Sequence, residues 1–416
     1  MSNRKGLFAA AAVAVAAMTG VARADDAKVS SPLTLDRVVH LQDEPTRAPL
    51  MSLLNEAGLA RPLEDAGITV GGHIQGSYTY GFSSPLGNDL TGRYFDFENQ
   101  DPTLNQIDIF FDRAVAADKF DVGGRIEWIY GADTRLIHAL GLFDHHGVDT
   151  GPENWFDLFQ AYLDVNLPVG NGLKVRVGKF ASPIGYETVV PTGNDLFSHT
   201  FSFGYGVPFT HVGVTLSTAL TDKLSVTGGI TRGWDVATED NNDTIDFLGQ
   251  LAYKPSDDQT IAFNFLIGPD QPDNNTDYRA IFDFQYIRQV NDNLKFVFNA
   301  IYAWEQNSES SVSGSDAQWF AATVYGGLKL SDNVSLNGRI EYFNDQDGAR
   351  LTGGVGGTSL YDATIGLAIR PFPNDKYGAG LVIRPELRLD YSEKRYFDGG
   401  TDRIQTSAAI DAVYQF

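Results

Sequence analysis

Charged residues occupy every second position in several otherwise apolar segments. In residues 381–392 the charged positions are Arg384, Glu386, Arg388 and Asp390, and apolar residues such as Leu387 separate them. Alternate side chains of a strand face opposite sides. A charge at the midplane of a bilayer costs roughly 2–4 kcal/mol, so in a membrane strand the charged face must meet water. The chemistry predicted is therefore electrostatic: fixed charges along an aqueous interior, acting on polar solutes and ions.

The same alternation predicts further residues that line this interior. Within residues 120–131, 173–181 and 334–343 the alternation places Arg125, Lys174, Arg176 and Arg339 on the face opposite to most apolar residues. The predicted pore-lining set is Arg125, Lys174, Arg176, Arg339, Arg384, Glu386 and Arg388.

Other reactive groupings give weaker signals. Asp144, His145 and His146 are adjacent, but a metal site needs further placed ligands. Residues 344–348 (NDQDG) match part of a calcium loop without its later Glu, so divalent bridging to anionic lipid is a further hypothesis. A hydrolase would need a Ser or acidic partner against His199 or His211. The sequence predicts no enzyme, metal or cofactor.

The N-terminus has the pattern of a secretory signal. Arg4 and Lys5 precede an apolar stretch, and 22–24 (ARA) is a small-x-small cleavage site, so residues 1–24 are predicted to be removed. Losing three basic and no acidic residues would change the net charge from −22 to −25. Such an excess of negative charge repels nucleic acid. Residues 25–67 are predicted to be a periplasmic lead-in with a short helix over 49–59, broken by Gly58 and Pro62.

The rest of the sequence, from residue 68 to residue 416, predicts an all-β fold, a transmembrane antiparallel β-barrel. From residue 68 onward, alternating segments are separated in turn by short and long connections, as expected of periplasmic turns and extracellular loops. The 43 glycines and 50 aromatic residues suit curved strands with aromatic girdles. The outer girdle is predicted from Tyr78, Tyr80, Phe82, Trp128, Tyr130, Trp234, Tyr302, Trp304, Tyr342 and Phe343. The sixteen predicted strands are 68–82, 105–115, 120–131, 156–167, 173–181, 210–220, 224–234, 244–254, 259–268, 278–288, 294–304, 317–330, 334–343, 358–371, 381–392 and 403–416.

The last strand carries an assembly signal. Its alternate residues form a mostly apolar face that includes Tyr414 and ends at Phe416. Closing the barrel on this strand would leave no unpaired edge.

Residues 182–209 are predicted to be a constriction loop. This connection is long, rich in Gly and aromatic residues and poor in charge, so it would expose much apolar surface if it lay outside. Its acids Glu187 and Asp195 are predicted to face the arginine rows and create a field across the pore. Salt bridges that stiffen the wall are the alternative.

Several motifs resemble the OmpL-like β-barrel porins. They are 158–180 (LFQAYLDVNLPVGNGLKVRVGKF), 183–187 (PIGYE), 191–194 (PTGN), 208–213 (PFTHVG) and 222–229 (DKLSVTGG). The resemblance implies a pore in the outer membrane of a Gram-negative bacterium, without a known solute.

The function expected is passive diffusion of small hydrophilic solutes or ions through a water-filled channel, since sixteen strands enclose an aqueous lumen. A surface adhesin or structural barrel is the alternative. The expected partners are membrane lipid, lipopolysaccharide, the barrel assembly machinery and small solutes, and the fold is compatible with a homotrimer.

Overall fold

Sixteen antiparallel strands form a closed barrel in the computed structural model, which describes residues 48–82, 89–143, 153–311, 315–351 and 356–416. The strands are β1 Thr69–Gly81, β2 Pro102–Arg113, β3 Asp121–Gly131, β4 Trp155–Leu167, β5 Leu173–Ala181, β6 Thr210–Thr221, β7 Leu224–Thr231, β8 Asp246–Ser256, β9 Gln259–Pro269, β10 Tyr278–Asn291, β11 Leu294–Glu305, β12 Ala317–Lys329, β13 Val334–Asp345, β14 Thr358–Ile369, β15 Leu381–Ser392 and β16 Ile404–Gln415. All sixteen predicted strands are confirmed. Connections after the even-numbered strands are short turns of two to seven residues, except for residues 370–380, and those after the odd-numbered strands have eight residues or more.

The barrel closes where β1 pairs with β16, from His73 opposite Gln415 to Gly81 opposite Ser407. Beyond this ladder, Gly72 N–H donates to the Phe416 carbonyl (3.1 Å), and Phe416 N–H donates to the Gly72 carbonyl (2.9 Å). A Cβ on Gly72 would lie 3.0 Å from the Phe416 ring and 2.0 Å from the Asp108 carbonyl oxygen. Glycine at position 72 therefore makes room for the terminal aromatic residue.

The two faces of the strands divide as the alternation predicts. On β15, Arg384, Glu386 and Arg388 are buried inside the barrel, whereas Leu387 is 56% exposed on the outer face. Apolar residues of the outer face thus form the surface available to lipid, and the charged residues lie inside.

Strand β7 ends earlier than predicted, at Thr231. Gly233 and Asp235 have φ of +135° and +56°, which turn the chain, and Asp270 accepts a hydrogen bond from Trp234 N–H (2.8 Å). Trp234 consequently packs against Trp319 in the interior, and Phe343 is also fully buried there. The assignment of Trp234 and Phe343 to the outer girdle is wrong.

From residue 48 onward, two short helices precede β1, namely α1 Pro49–Glu56 and α2 Ala60–Asp65. Gly58, with φ of +75°, follows α1 as expected. Pro62 does not interrupt a helix. It lies in the first turn of α2, where its missing N–H costs no hydrogen bond. Met51, Ala60 and Val70 pack together, and Glu56 binds Lys376 and Tyr377 of the β14–β15 turn. Residues 1–47, including the predicted signal peptide, lie outside the described residues.

Single helical turns occur at Thr134–Ile137 (α3) and Phe397–Gly400 (α4). In the described part of the chain, no helix has the length and apolarity needed to cross a membrane.

Deleting Phe416 should lower the yield of assembled barrel, because the seam loses two backbone hydrogen bonds, each contributing about 1 kcal/mol, and the ring over Gly72. Heat-modifiable electrophoretic mobility of the outer-membrane fraction measures this yield. Phe416→Tyr, which keeps both the backbone pair and an aromatic ring, should assemble normally. Normal assembly of the deletion variant would contradict this role of the seam.

Leu387→Arg should destabilise the barrel in lipid by about 2–4 kcal/mol, because it places a charge on the outer face well away from both strand ends. Tyr391→Arg, one residue from the end of β15, should cost only about 0–1 kcal/mol, since the arginine can reach the interface. Unfolding by denaturant in lipid vesicles gives both values. Equal losses would refute the assigned depth of Leu387.

Candidate pore constriction

The connection of residues 182–209 between β5 and β6 folds into the barrel. Its ends are held together by a hydrogen bond from Ser182 N–H to the Phe209 carbonyl (2.8 Å). It contains a 3-10 turn at Pro191–Gly193 and a π-helical turn at Ser202–Gly206. Phe197 and Phe201 are almost completely buried. We call this segment the inner loop.

Carboxylates of the barrel wall bind the backbone N–H groups of the inner loop. Glu386 accepts hydrogen bonds from Phe197 N–H (2.9 Å) and Ser198 N–H (3.1 Å). Glu341 accepts from Phe201 N–H (2.7 Å) and Ser202 N–H (2.8 Å). Charged acceptors make the stronger class of hydrogen bond, so these two glutamates fix the middle of the loop to β13 and β15.

Arginines of the same wall bind the carbonyl groups of the loop. Arg384 donates to the Asn194 carbonyl (2.7 Å), Arg339 to the Ser198 carbonyl (2.5 Å) and Arg388 to the His199 carbonyl (2.5 Å). Each of them also pairs with an acid of the wall, Arg384 with Asp411, Arg339 with Asp362 and Arg388 with Asp390. These predicted pore-lining residues therefore position the inner loop.

The two loop acids are paired with cations. Glu187 lies 3.0 Å from Arg339 and 3.2 Å from His199, and it accepts a hydrogen bond from Thr200 N–H (2.8 Å). Burial alone would raise the pKa of Glu187, but Arg339 and His199 outweigh it and lower this pKa to about 2. Asp195 pairs with Lys295 of β11. Both loop acids therefore face bases of the wall, and the salt bridges given as the alternative are present at Glu187 and Asp195. The field across the pore stays a prediction.

The remaining predicted bases lie on the opposite wall. Arg125 pairs with Glu127 (2.9 and 3.0 Å) and lies 4.0 Å from the centroid of the Phe110 ring. Arg176 makes a bidentate pair with Asp164 (2.8 and 2.9 Å). Lys174 Nζ lies 3.7 Å from the same carboxylate. Hydrogen bonds to the inner loop come instead from residues such as Glu341 on β13 and Glu386 on β15. The wall that carries Lys174 and Arg176 therefore has a different role from the wall of β13 and β15.

Other connections enter the barrel as well. Arg93, in the β1–β2 connection, binds Asp390 (2.9 Å), Asp96 (2.5 Å) and Ser407 (2.9 Å). The neighbouring Tyr94 packs against Phe203 and Phe209 of the inner loop. Arg93 was not among the residues predicted to lie inside, although an arginine followed by two aromatic residues is an unusual pattern for an exposed loop.

Arg350 joins the β13–β14 connection to the inner loop. It lies between the rings of Trp234 and Trp319, 5.2 and 5.0 Å from their centroids, and its Nε donates to the Tyr205 carbonyl (2.6 Å). Burial lowers the pKa of Arg350 to about 10. Trp319 Nε1 also donates to the Gly206 carbonyl (3.0 Å). These contacts fix the π-helical turn.

The two histidines hold the loop in place. His211 lies 3.0 Å from Ser182 Oγ and 3.2 Å from the Gly233 carbonyl, while His199 stacks on Phe203 with centroids 4.1 Å apart. The Gly233 carbonyl can only accept a hydrogen bond, so His211 Nδ1 donates to it and Nε2 accepts a hydrogen bond from the Ser182 hydroxyl. His211 is fully buried, and its two partners are the Ser182 hydroxyl and a backbone carbonyl, which supports a structural role.

The motifs suggested for metals find no support in the described residues. Asp345 accepts the backbone N–H groups of Ala349, Arg350 and Leu351 (2.8–3.0 Å), so it caps its own turn. No group of three or more potential ligands is arranged for a metal in that part of the chain. Asp144, His145 and His146 lie outside it.

A small cleft of about 60 Å³ remains between the inner loop and the β5–β8 wall. Its lining residues are Lys174, Arg176, Phe180, Ala181, Pro183, Thr215, Ser217, Thr227, Leu248 and Gln250.

Residues 67–416 match the family model described as "Putative beta-barrel porin-2, OmpL-like". The chain belongs to this family. It is therefore an outer-membrane porin of the Gram-negative type, which confirms the predicted channel and its membrane. No curated protein matches the sequence.

Solved structures similar to this porin share its fold at low sequence identity. The outer membrane channel DcaP of Acinetobacter baumannii is 14% identical, with a TM-score of 0.56 over 84% of this chain and 97% of that one. The anion-selective porin from Comamonas acidovorans is 9% identical, with a TM-score of 0.57 over 84% and 99%. A trimer form of OmpT from Vibrio cholerae is 12% identical, with a TM-score of 0.51 over 84% and 99%.

Glu187→Gln should loosen the inner loop, because a charged partner of Arg339 and His199 is lost at a cost of about 2–3 kcal/mol. Since the folded pKa of Glu187 is depressed, its stabilisation is complete above the ordinary value near 4.5 and is lost as the pH falls towards 2. Open-channel current noise should therefore rise between pH 5 and pH 3 in the wild type. In the variant it should already be high at pH 5.

Glu309→Gln serves as the control, since this carboxylate is exposed on another connection. It should behave as the wild type at both pH values. A Glu187→Gln channel with wild-type noise and wild-type pH dependence would show that Glu187 does not anchor the loop.

Proposed function

We propose that this porin mediates passive diffusion of small hydrophilic solutes and that the inner loop sets the width of its channel. One observation carries the proposal: residues 182–209 are bonded along their length to the interior of the barrel. Wall residues that bind the loop come from β10 (Asp283), β13 (Glu341) and β15 (Glu386). A segment held in this way narrows the lumen at every moment, so the restriction is a fixed part of the channel.

The other properties proposed for the chain follow from its place in the outer membrane. Residues 1–24 act as a cleaved signal peptide, and residues 25–67 form a periplasmic lead-in. The short turns lie on the periplasmic side. Lipid and lipopolysaccharide surround the apolar outer face. The barrel assembly machinery recognises the last strand, which includes Tyr414 and Phe416. A trimer form of OmpT, which shares the fold, supports a homotrimer. The porin family favours transport over catalysis, and we propose that the chain catalyses no reaction.

Replacing residues 188–204 by a short Gly-Ser linker should raise the single-channel conductance and the size limit for sugars in liposome swelling, because the lumen widens when the loop leaves it. The variant keeps the bond between the two ends of the loop, and its folding is checked by heat-modifiable mobility.

Removal of residues 272–275, in the exposed β9–β10 connection, provides the control and should leave conductance unchanged. An intact barrel with wild-type conductance after the loop replacement would refute the constriction. Absence of any conductance in folded wild-type protein would refute the channel itself.

A further inference from the structure

A group of buried oxygens without hydrogen-bond donors lies where β7 ends, β8 begins and β9 ends. Asp246, the first residue of β8, is 0% exposed, and neither of its carboxylate oxygens accepts a hydrogen bond from a donor in the described part of the chain. The buried Thr231 Oγ1 of β7 and Asp270 Oδ2, directly after β9, also have no hydrogen-bond partner there. Buried charges are paired or bind metal ions, so these four oxygens are candidate ligands.

The strands bring these oxygens to one place. Thr231 lies directly opposite Asp246 in the ladder between β7 and β8, and such opposite side chains have Cβ atoms about 5 Å apart on the same face. Asp246 leans over β9, because a Cβ on Gly268 would lie 1.8 Å from its Oδ1. A Cβ on Gly233 would lie 2.8 Å from Asp270 Oδ1. Two glycines thus make the space in which the carboxylates meet.

The carboxylates of Asp246 and Asp270 lie within hydrogen-bonding distance of each other. Ionised carboxylates only accept hydrogen bonds, so a proton or a cation must lie between them. A proton would link two of the oxygens and leave the others without a partner. A cation can contact several at once, and Ca²⁺ takes about six to eight oxygen ligands in a flexible geometry. Carboxylate and hydroxyl oxygens, without nitrogen or sulfur, favour calcium over zinc.

The local charge favours a divalent ion. Arg279 binds Glu305 and lies 3.8 Å from Asp270 Oδ2. Asp246, Asp270 and Glu305 therefore face a single base, which leaves two negative charges in excess. One divalent cation removes that excess.

The charged groups around this set are balanced among themselves. Arg232 pairs with Asp240 (3.2 Å) in the β7–β8 connection. Arg350 and Asp345 attract each other and together add no net charge. The excess of two negative charges therefore stays at Asp246 and Asp270.

We propose that Asp246, Asp270 and Thr231 bind a calcium ion at this end of the barrel. The ion neutralises the two carboxylates and links β7, β8 and β9, and water completes its coordination. Only two of these ligands are carboxylates, so the site differs from the groups of three or more His, Cys, Asp or Glu side chains that the described residues lack. This inference concerns stability and does not rest on the proposed channel function.

The site is connected to the inner loop through one turn. Asp270 Oδ1 accepts the Trp234 N–H (2.8 Å), and the adjacent Asp235 accepts the N–H groups of Phe209 and Thr210 (both 2.8 Å). Calcium at Asp270 therefore fixes the turn that holds the end of the inner loop.

Terbium, an ion with the size and ligand preference of calcium, is the probe for binding. The porin is refolded in detergent without lipopolysaccharide, which binds divalent cations itself, and Trp234 sensitises the emission of bound Tb³⁺. We expect one Tb³⁺ per chain, displaced by Ca²⁺. Asp246→Asn should weaken Tb³⁺ binding about tenfold or more, since even outer partners of metal ligands contribute about 10–100-fold. Thr231→Val, which keeps the shape of the side chain, should give a smaller loss.

Asp243→Asn is the matched control, since this acid is exposed in the same β7–β8 connection and should leave Tb³⁺ affinity unchanged. Heat-modifiable mobility shows whether each variant folds. Should Asp246→Asn fail to fold, Asp270→Asn replaces it, because its amide oxygen can still accept the Trp234 N–H. Wild-type protein that binds no Tb³⁺, or a folded variant of either aspartate with wild-type affinity, would overturn the inference.

Thermal unfolding distinguishes calcium from a shared proton. The midpoint of the wild type should be higher in CaCl₂ than in EDTA. Asp246→Asn should have the same midpoint in both solutions, and in EDTA it should be at least as stable as the wild type, because its amide can donate to Asp270. A wild-type midpoint that is unaffected by calcium and falls only as the pH rises would show that a proton alone links the two carboxylates, which would refute the calcium site.

Discussion

Backbone hydrogen bonding in the bilayer is the constraint on which the rest of this structure depends. An unpaired N–H or C=O group in hydrocarbon costs several kcal/mol, so a membrane sheet must have no free edge. Here the last strand meets the first, and Gly72 and Phe416 exchange both of their backbone hydrogen bonds. Closure also brings the Phe416 ring against Gly72, where a Cβ would lie 3.0 Å from the ring and 2.0 Å from the Asp108 carbonyl oxygen of β2.

Closure creates a second requirement inside the barrel. Alternation sends most charged residues of the strands inward, where many of them are buried, and a buried charge is tolerated only when it is paired and hydrogen-bonded. The inner loop helps to meet this requirement. Its N–H groups donate hydrogen bonds to Glu386 and Glu341, and its carbonyl groups accept hydrogen bonds from Arg384 and Arg388. Wall and loop therefore stabilise each other, which explains how a loop rich in glycine and aromatic residues keeps a single position.

The strands could be predicted from the sequence, because apolar and charged residues that alternate with a period of two indicate a strand with one face in water. The side-chain contacts inside the barrel could not be predicted from the sequence. Glu187 has the same local sequence whether it is free or paired, and its partner Arg339 is 152 residues away. Trp234 follows an alternating strand, yet the turn at Gly233 and Asp235 brings it inside. Such pairings depend on tertiary contacts that local patterns do not encode.

The division of the interior into two walls limits how the channel can vary. Changes on β13 or β15 alter residues that hold the inner loop, so they affect its position together with any charge they add or remove. Changes around Lys174 alter the cleft itself, because the wall of β5–β8 supplies few of the bonds that anchor the loop. Selectivity can therefore change on one side of the barrel while the constriction is maintained by the other. The same fold can thus serve different solutes without a new scaffold.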